Sequence, residues 1–187
     1  QAGTITYGGS CSSVTTSANS GNTTITLISL SDGTYSDCTV TVTDTAGNSV
    51  TLNMSSFTVD TTAPSVSSFI LSDTLLKTGD NATVDLVFSE VVVGFSSDDD
   101  ITDHPNGTLT AMTSSDNITW AGTFTPTTGE DWINRFWLGT SYTDTAGNTG
   151  TAATTANYMV DDNDPSVSSF TLSDTALKAG DNATVTL

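Results

Sequence analysis

The side chains of this chain best suited to chemistry are oxygen donors. Asp60, Glu90, Asp144 and Asn148 stand beside turn-forming sequences, and Asp161, Asp162 and Asp164 crowd a second acidic stretch between Val160 and Pro165. Hard oxygen-only sets of this kind take Ca²⁺, which gathers roughly six to eight oxygens, the balance coming from carbonyls and water. Ca²⁺ is therefore the expected cofactor. Thiolate or redox chemistry is not expected, because no Cys-x-x-Cys pair occurs; the single histidine, His104, lies in an Asp-His-Pro-Asn turn.

Each acidic residue also has a plainer role open to it. Asp44 and Asp144 each open an Asp-Thr-Ala-Gly-Asn turn, and an Asp there can simply cap the turn through its own backbone. Glu90 can be an exposed acid at a strand end. The run Asp98-Asp99-Asp100 lacks the spacing of a known cation loop and reads as a solvated bend. Catalysis has poor support: His104 has no cysteine nucleophile within a plausible loop, a Ser-His-Asp arrangement would need it buried beside a serine, and paired carboxylates would need an aromatic-lined cleft that thin domains rarely supply. Trp132, Phe136 and Trp137 surround Arg135, the chain's only arginine; they form either a partner or sugar-stacking contact or a piece of core.

Cys11 and Cys38 lie 27 positions apart. Cys38 heads the alternating run Cys38, Val40, Val42, and Cys11 follows the strand-like Gly3 to Tyr7, so both can reach one core. A disulfide on facing strands is expected, contributing roughly 3 kcal/mol by constraining the unfolded chain. Tyr35, in DGTYSDC, reads as a strand-corner anchor.

The elements that position these residues are repeated. PSVSSFILSDTLLKTGDNATVDL, from Pro64, returns 101 residues later as PSVSSFTLSDTALKAGDNATVTL, from Pro165, with 19 of 23 positions identical. TDTAGN occurs at Thr43 to Asn48 and again at Thr143 to Asn148. A period of this size suits small independent domains joined end to end. The expected division is a partial domain at 1–63 that lacks its first strands, a complete domain at 64–164, and the opening strands of a further domain at 165–187.

Strand signals dominate all three parts. Core-facing alternation is readable at Val84, Leu86 and Phe88; at Leu109 and Ala111, with Met112 the other candidate; and at Ile118, Trp120, Gly122 and Phe124. Turn clusters at Ser72 to Asn81, Asp98 to Gly107 and Ser114 to Asn117 separate them. About seven strands with no helix signal give an all-β immunoglobulin-like sandwich. In such a sandwich the loop after the second strand and the last hairpin turn meet at the pole where the chain enters. That brings Glu90, Asp144 and Asn148 toward the junction residue Asp60. The junction is expected to be loose when empty and stiff when loaded with Ca²⁺. At the second junction Asp161, Asp162 and Asp164 offer acid, while the matching Glu and turn Asp would fall beyond Leu187.

Charge bounds the partners. Net charge is −18, from 21 acids against Lys77, Lys178 and Arg135. Nucleic acid and anionic membranes are repelled by such a surface. No apolar run approaches the ~18 residues that a bilayer-spanning helix needs, so no membrane insertion is expected.

TDTAGN, the strand ending VDTTAP, and the run LVFSEVVVGFSSDDDIT followed by NGTLT resemble the bacterial immunoglobulin-like tandem repeats of large surface and biofilm adhesins, including calcium-rigidified extender regions. The resemblance covers the complete domain and the tail fully, and the head from Gly3 as a shorter, cysteine-containing variety. Asp131 to Trp137 departs from the pattern, which leaves the strand register there open. The resemblance implies a non-enzymatic spacer or stalk, secreted to the extracellular bacterial cell surface and stiffened by Ca²⁺, whose partners are adjacent repeats of its own or a neighbouring chain. Two alternatives stand beside it: a fibre subunit assembled by strand complementation between chains, and a module binding a glycan or cell-surface target through the Trp-rich segment. Val185 and Leu187 stand where Val84 and Leu86 stand, so the tail's apolar face is expected to be covered by residues outside this chain.

Overall fold

The computed structural model describes residues 2–102, 107–127 and 133–187. Its strands, in chain order, are β1 (Gly3–Gly8), β2 (Ser17–Ala18), β3 (Gly33–Tyr35), β4 (Thr39–Asp44), β5 (Ser49–Asn53), β6 (Phe57–Val59), β7 (Val66–Leu71), β8 (Leu75–Leu76) and β9 (Ala82–Phe88). A single helical turn, α1 (Ser97–Asp100), precedes β10 (Ile101–Thr102), β11 (Gly107–Leu109), β12 (Thr119–Pro126), β13 (Ile133–Asn134) and β14 (Trp137–Leu138). The chain continues with β15 (Ala153–Thr154), β16 (Tyr158–Val160), β17 (Thr171–Leu172) and β18 (Val185–Thr186). Among the described residues the regular elements are thus all strands, as the alternation requires, with α1 as the one departure.

In the head, β2-β1-β4-β5 form one antiparallel sheet and β3-β6 a second. β1 and β4 run from the pair Gly3↔Asp44 to the pair Gly8↔Thr39. Cys11 and Cys38 lie just past that last pair, in the flanking loops and not on facing strands, and are joined in a disulfide with Cα atoms 5.2 Å apart. The loops close there because Gly9 adopts φ +72°, and an added Cβ would sit 2.1 Å from the Asp37 carbonyl oxygen. Little else is buried: Ile5 is the head's one further fully buried apolar residue among those described, while Val14, Val50 and Leu52 are exposed. Tyr35 does anchor a corner, its hydroxyl donating to the Ser31 carbonyl at 2.7 Å while its ring stacks on Phe57 at 5.5 Å.

The second unit is a fuller sandwich. One sheet is β11-β12-β9-β7; facing it are β10-β14-β15 and β13-β16-β8, the last with a parallel β16/β8 pair. Val84, Leu86 and Phe88 of β9 point inward as the period of two demands, and pack with Phe69, Leu71, Phe124, Phe136, Leu138, Tyr142 and Tyr158 in one cluster. Phe124, Phe136 and Tyr158 touch pairwise at centroid distances of 5.2, 5.2 and 5.5 Å.

Three sequence expectations are corrected here. Ala111 is exposed and Met112 is buried. The reason is an extra residue: Thr110 bonds opposite Thr123, yet the next bridge is Thr113 to Ala121, so three steps on one strand match two on the other and the facing parity switches. Phe136, expected among possible partner contacts, is fully buried, because the chain between β13 and β14 turns it into the aromatic cluster. Asp100 is no part of a solvated bend: it is 2 % exposed, and its Oδ2 accepts from the Ser96 amide at 2.8 Å across the single turn of α1.

The tail pairs β17 with β18, Leu172 opposite Val185, which is the register of Leu71 opposite Val84 in the second unit. Among the described residues nothing covers it: Val167, Phe170, Leu172, Val185 and Leu187 are all exposed.

Candidate cation site at the domain junction

Three segments converge where the head passes into the second unit. Asp60 directly follows β6 and opens the linker, its Oδ1 accepting from the Thr62 amide at 3.0 Å. Glu90 lies two residues past β9, where Ser89 exchanges hydrogen bonds with Ser65, from its amide to the Ser65 carbonyl at 2.8 Å and back to its hydroxyl oxygen at 3.0 Å. Asp144 comes from the last hairpin, which is tied to the Glu90 loop by the mutual Val93–Thr143 backbone bonds at 2.7 and 3.0 Å. One carboxylate oxygen from each of Asp60, Glu90 and Asp144 lies within 4.8 Å of the other two. Oxygens on opposite sides of one Ca²⁺ stand about 4.8 Å apart at the usual bond lengths, so this donor set fits a single shared ion.

The turn that carries Asp144 fixes its orientation locally. Its Oδ1 accepts from the amides of Ala146 and Asn148 at 2.8 and 2.9 Å, and Gly147 takes φ +94°, a left-handed conformation that glycine enters without a Cβ clash. Asp44 makes the same turn in the head, accepting from Ala46 and Asn48 at 2.9 Å each. Turn capping is thus what both Asp residues do; Asp144 also meets two further acids, Asp60 and Glu90.

Electrostatics follow this geometry. Burial raises the Glu90 carboxyl above its ordinary value, and the neighbouring charges of Asp60 and Asp144 raise it further. Burial also pushes Asp144 upward, but hydrogen bonds from the Asn148 side chain and from the amides of Asn148, Ala146 and Gly147 outweigh it and leave a net lowering. In the head, Asn48 leads the hydrogen bonds that lower Asp44.

Asn148 reaches the junction through its nitrogen. Nδ2 donates to Asp144 Oδ2 at 2.7 Å, to the Asp60 carbonyl at 3.0 Å and to the Thr62 carbonyl at 3.4 Å. Three oxygens surround that corner, so only the NH₂ end of the amide fits there. Asn148 clamps the acids rather than adding an oxygen through this atom. Asp161, Asp162 and Asp164 join no comparable group among the described residues. Asp161 Oδ1 accepts from the Asn163 amide at 2.9 Å, Asp162 accepts from the amide of Thr78 at 2.7 Å and also from its hydroxyl, and Asp164 is exposed. Asp32 was not singled out by sequence: it accepts from Thr61, N and Oγ1, at 3.0 and 2.7 Å and from Thr62 Oγ1 at 3.0 Å, and these bonds lower its carboxyl below the ordinary value. No local pattern announces a partner 29 residues away.

Of the aromatic segment, Trp132 lies outside the described residues. Trp137 is 41 % exposed, with the Arg135 guanidinium 4.3 Å from its ring centroid.

No curated protein and no solved structure matches the chain. A family described as Bacterial Ig-like domain matches residues 60–160, and a second family of the same description matches residues 3–61. The first match takes in Asp60, Glu90 and Asp144 together. With more than half of its length inside that match, the chain belongs to the bacterial Ig-like domain family.

Proposed function

We propose that the chain is a spacer segment in the stalk of a long extracellular bacterial adhesin or filament, held stiff by Ca²⁺ at the junction between successive Ig-like domains. Bacterial Ig-like domains fit a structural, extending role, and two in tandem with a third hairpin suit a stalk. The observation that carries the cation reading is the meeting of Asp60, from the linker, with Glu90 and Asp144, from the following domain, within 4.8 Å. An ion there joins the linker to the next domain, so its binding is paid back as resistance to bending. The acidic surface, net −18, favours a cation-rich medium and repels nucleic acid.

Calorimetric titration of the chain with CaCl₂ tests this. One site is expected, weakened by Glu90→Gln, which removes a charged ligand while keeping the shape of the side chain. Scattering should show a narrower spread of overall lengths with Ca²⁺ than with chelator. No binding heat at millimolar calcium overturns the reading.

A second reading rests on Trp137. Its half-open ring lies on the outer face of β14, paired with Thr102 on one side and Thr154 on the other. A sugar could stack there in place of the Arg135 guanidinium, which lies 4.3 Å from the ring centroid, and Trp137→Ala should abolish retention on a glycan surface if the chain is a binding module.

A further inference from the structure

We propose that the linker after the head is a two-sided hydrogen-bonded latch that sets the mean angle between the domains and places Asp60 before any cation arrives, leaving Ca²⁺ to narrow the spread about that angle, with Asn148 as its positioning residue. The latch is read from direct bonds and stands whether or not Ca²⁺ binds; its effect on cation affinity rests on the reading above.

The linker residues divide their bonds between the two domains. Toward the head, the Thr61 amide and hydroxyl and the Thr62 hydroxyl all donate to the Asp32 carboxylate. Toward the second domain, the carbonyls of Asp60, Thr62 and Pro64 face the last hairpin. Asn148 Nδ2 donates to the first two, and Thr151 donates to Pro64, from its amide at 3.2 Å and its hydroxyl at 3.4 Å. Within residues 60–64 the bonds thus alternate between the domains, Thr62 being held from both sides, and Pro64, itself buried, stiffens the end of the run.

The chain carries its own control for Asn148. Asn48 occupies the same place in the same TDTAGN turn, and among the described residues its side-chain nitrogen meets only Asp44, at 3.1 Å. The turn needs the asparagine for its own closure in both places. Only Asn148 also reaches backbone carbonyls 88 and 86 residues away.

The head-side half of the latch recurs at the second junction with the partners exchanged. A shift of 101 residues carries Thr61 onto Asp162. There the acid is on the linker and the threonine on the domain body: Thr78 donates to Asp162 through both its amide and its hydroxyl. The preceding residue keeps its role too, since Asp60 Oδ1 caps the Thr62 amide and Asp161 Oδ1 caps the Asn163 amide. One Thr–Asp pair at each junction, in opposite orientations, does the same job of tying the exit of a domain to its own body.

The consequence for the cation site follows from the bond geometry. Asn148 holds Asp144 Oδ2 with the same nitrogen that holds the Asp60 carbonyl, so the two acids are registered against each other through one amide. Removing that registration leaves the ligands present and misplaced. Changes to groups that orient ligands commonly weaken metal affinity by roughly 10- to 100-fold.

The test is ¹⁵N relaxation of the 187-residue chain in chelator, with Asn148→Asp, Asn148→Ala, Asp32→Ala and, as control, Asn48→Ala. The unaltered chain and Asn48→Ala should show the amides of both domains sharing one rotational correlation time. Asn148→Asp, the same size but with an acceptor in place of the donor, should split it into two shorter ones; Asn148→Ala and Asp32→Ala should do likewise, with each domain's own amide shifts retained. Calcium affinity should fall roughly 10- to 100-fold in Asn148→Ala. Independent tumbling of the unaltered chain in chelator overturns the latch, as does an unsplit correlation time in Asn148→Asp and Asp32→Ala. Should the unaltered chain bind no calcium, the cation reading fails alone, and the relaxation result in chelator still decides the latch.

Discussion

Reduction of the Cys11–Cys38 disulfide should unfold the head while leaving the second domain intact. The magnitude comes from the bond's place in the chain. Closing a loop of 27 residues restricts the unfolded state by about 3.6 kcal/mol in the chain-entropy model. Little else stands behind it: the head's fully buried apolar residues, among those described, are Ile5 and the two half-cystines themselves. A domain of about 60 residues has a total stability of roughly 3–9 kcal/mol at the usual value per residue, so losing this crosslink removes a large share of it. At roughly 4–8 °C per kcal/mol for a domain of this size, the expected drop in its melting temperature is roughly 15–30 °C. Differential scanning calorimetry of the whole chain should show two transitions, only the head's moving on reduction or in Cys11→Ser/Cys38→Ser. Among its described residues the second domain buries seventeen in one cluster, and it holds no cysteine, which makes it an internal reference. A head transition that stays in place after both thiols are shown to be free would refute the reasoning, for it would mean that β1, β4 and β5 hold the domain without the crosslink.

Two further outcomes follow from the core and from the acids. Phe136→Ala should cost the second domain about 3–5 kcal/mol, because it empties the centre of the Phe124–Tyr158 cluster, whereas Trp137→Ala next door should cost far less; urea unfolding of both variants checks this. In calcium-free buffer, stability should rise slightly as pH falls from 7 toward 4.5, since protonation through its raised folded value relieves Glu90 of burial and of its two acidic neighbours. Below pH 3.8 stability should fall, because Asp32, Asp44, Asp116 and Asp144 are held below that value in the folded state, and what they contribute above it is lost as they protonate. Thermal melts across pH 3–7 in chelator read both limbs, and Glu90→Gln should remove the upper one.

What the sequence made legible is what local chemistry decides. Alternation placed Val84, Leu86 and Phe88 inside, because a strand with one wet face has no other way to bury them. The TDTAGN turns were readable since Asp, Gly and Asn each have one job in them. The meeting of Asp60, Glu90 and Asp144 followed from topology: Asp60 and Glu90 follow β6 and β9, Asp144 opens the last hairpin turn, and the sandwich gathers these at one pole. Features that depend on a distant partner were not legible. The parity switch at Met112 needs the bridge from Thr113 to Ala121, Phe136 needs the cavity between Phe124 and Tyr158, and Asp32 needs Thr61. Met112, Ala111 and Phe136 offered no signal by type, because an apolar residue in a short irregular strand can face either way.

The duplicated segment separates local from tertiary causes within one molecule. Residues 64–86 and 165–187 form the same hairpin, with the Thr83 and Thr184 amides donating to Ser72 and Ser173 at 2.8 and 2.9 Å, and Lys77 and Lys178 amides donating to Asp80 and Asp181 at 3.0 and 3.1 Å. One copy is packed and the other is open, so these turn bonds and the Leu–Val register do not depend on burial. The four positions that differ are Ile70, Leu75, Thr78 and Asp85, against Thr171, Ala176, Ala179 and Thr186. In the packed copy Ile70, Leu75 and Thr78 are exposed and Asp85 is half-buried, while Phe69, Leu71, Leu76, Ala82, Val84 and Leu86 are buried and identical in the open copy. Drift confined to the outward face, with every inward residue kept, is the pattern of a surface that packs against a facing sheet of the β14 and β16 kind. The hairpin's shape is therefore set by its own residues, and the identity of its inner face is set by the sheet that packs over it.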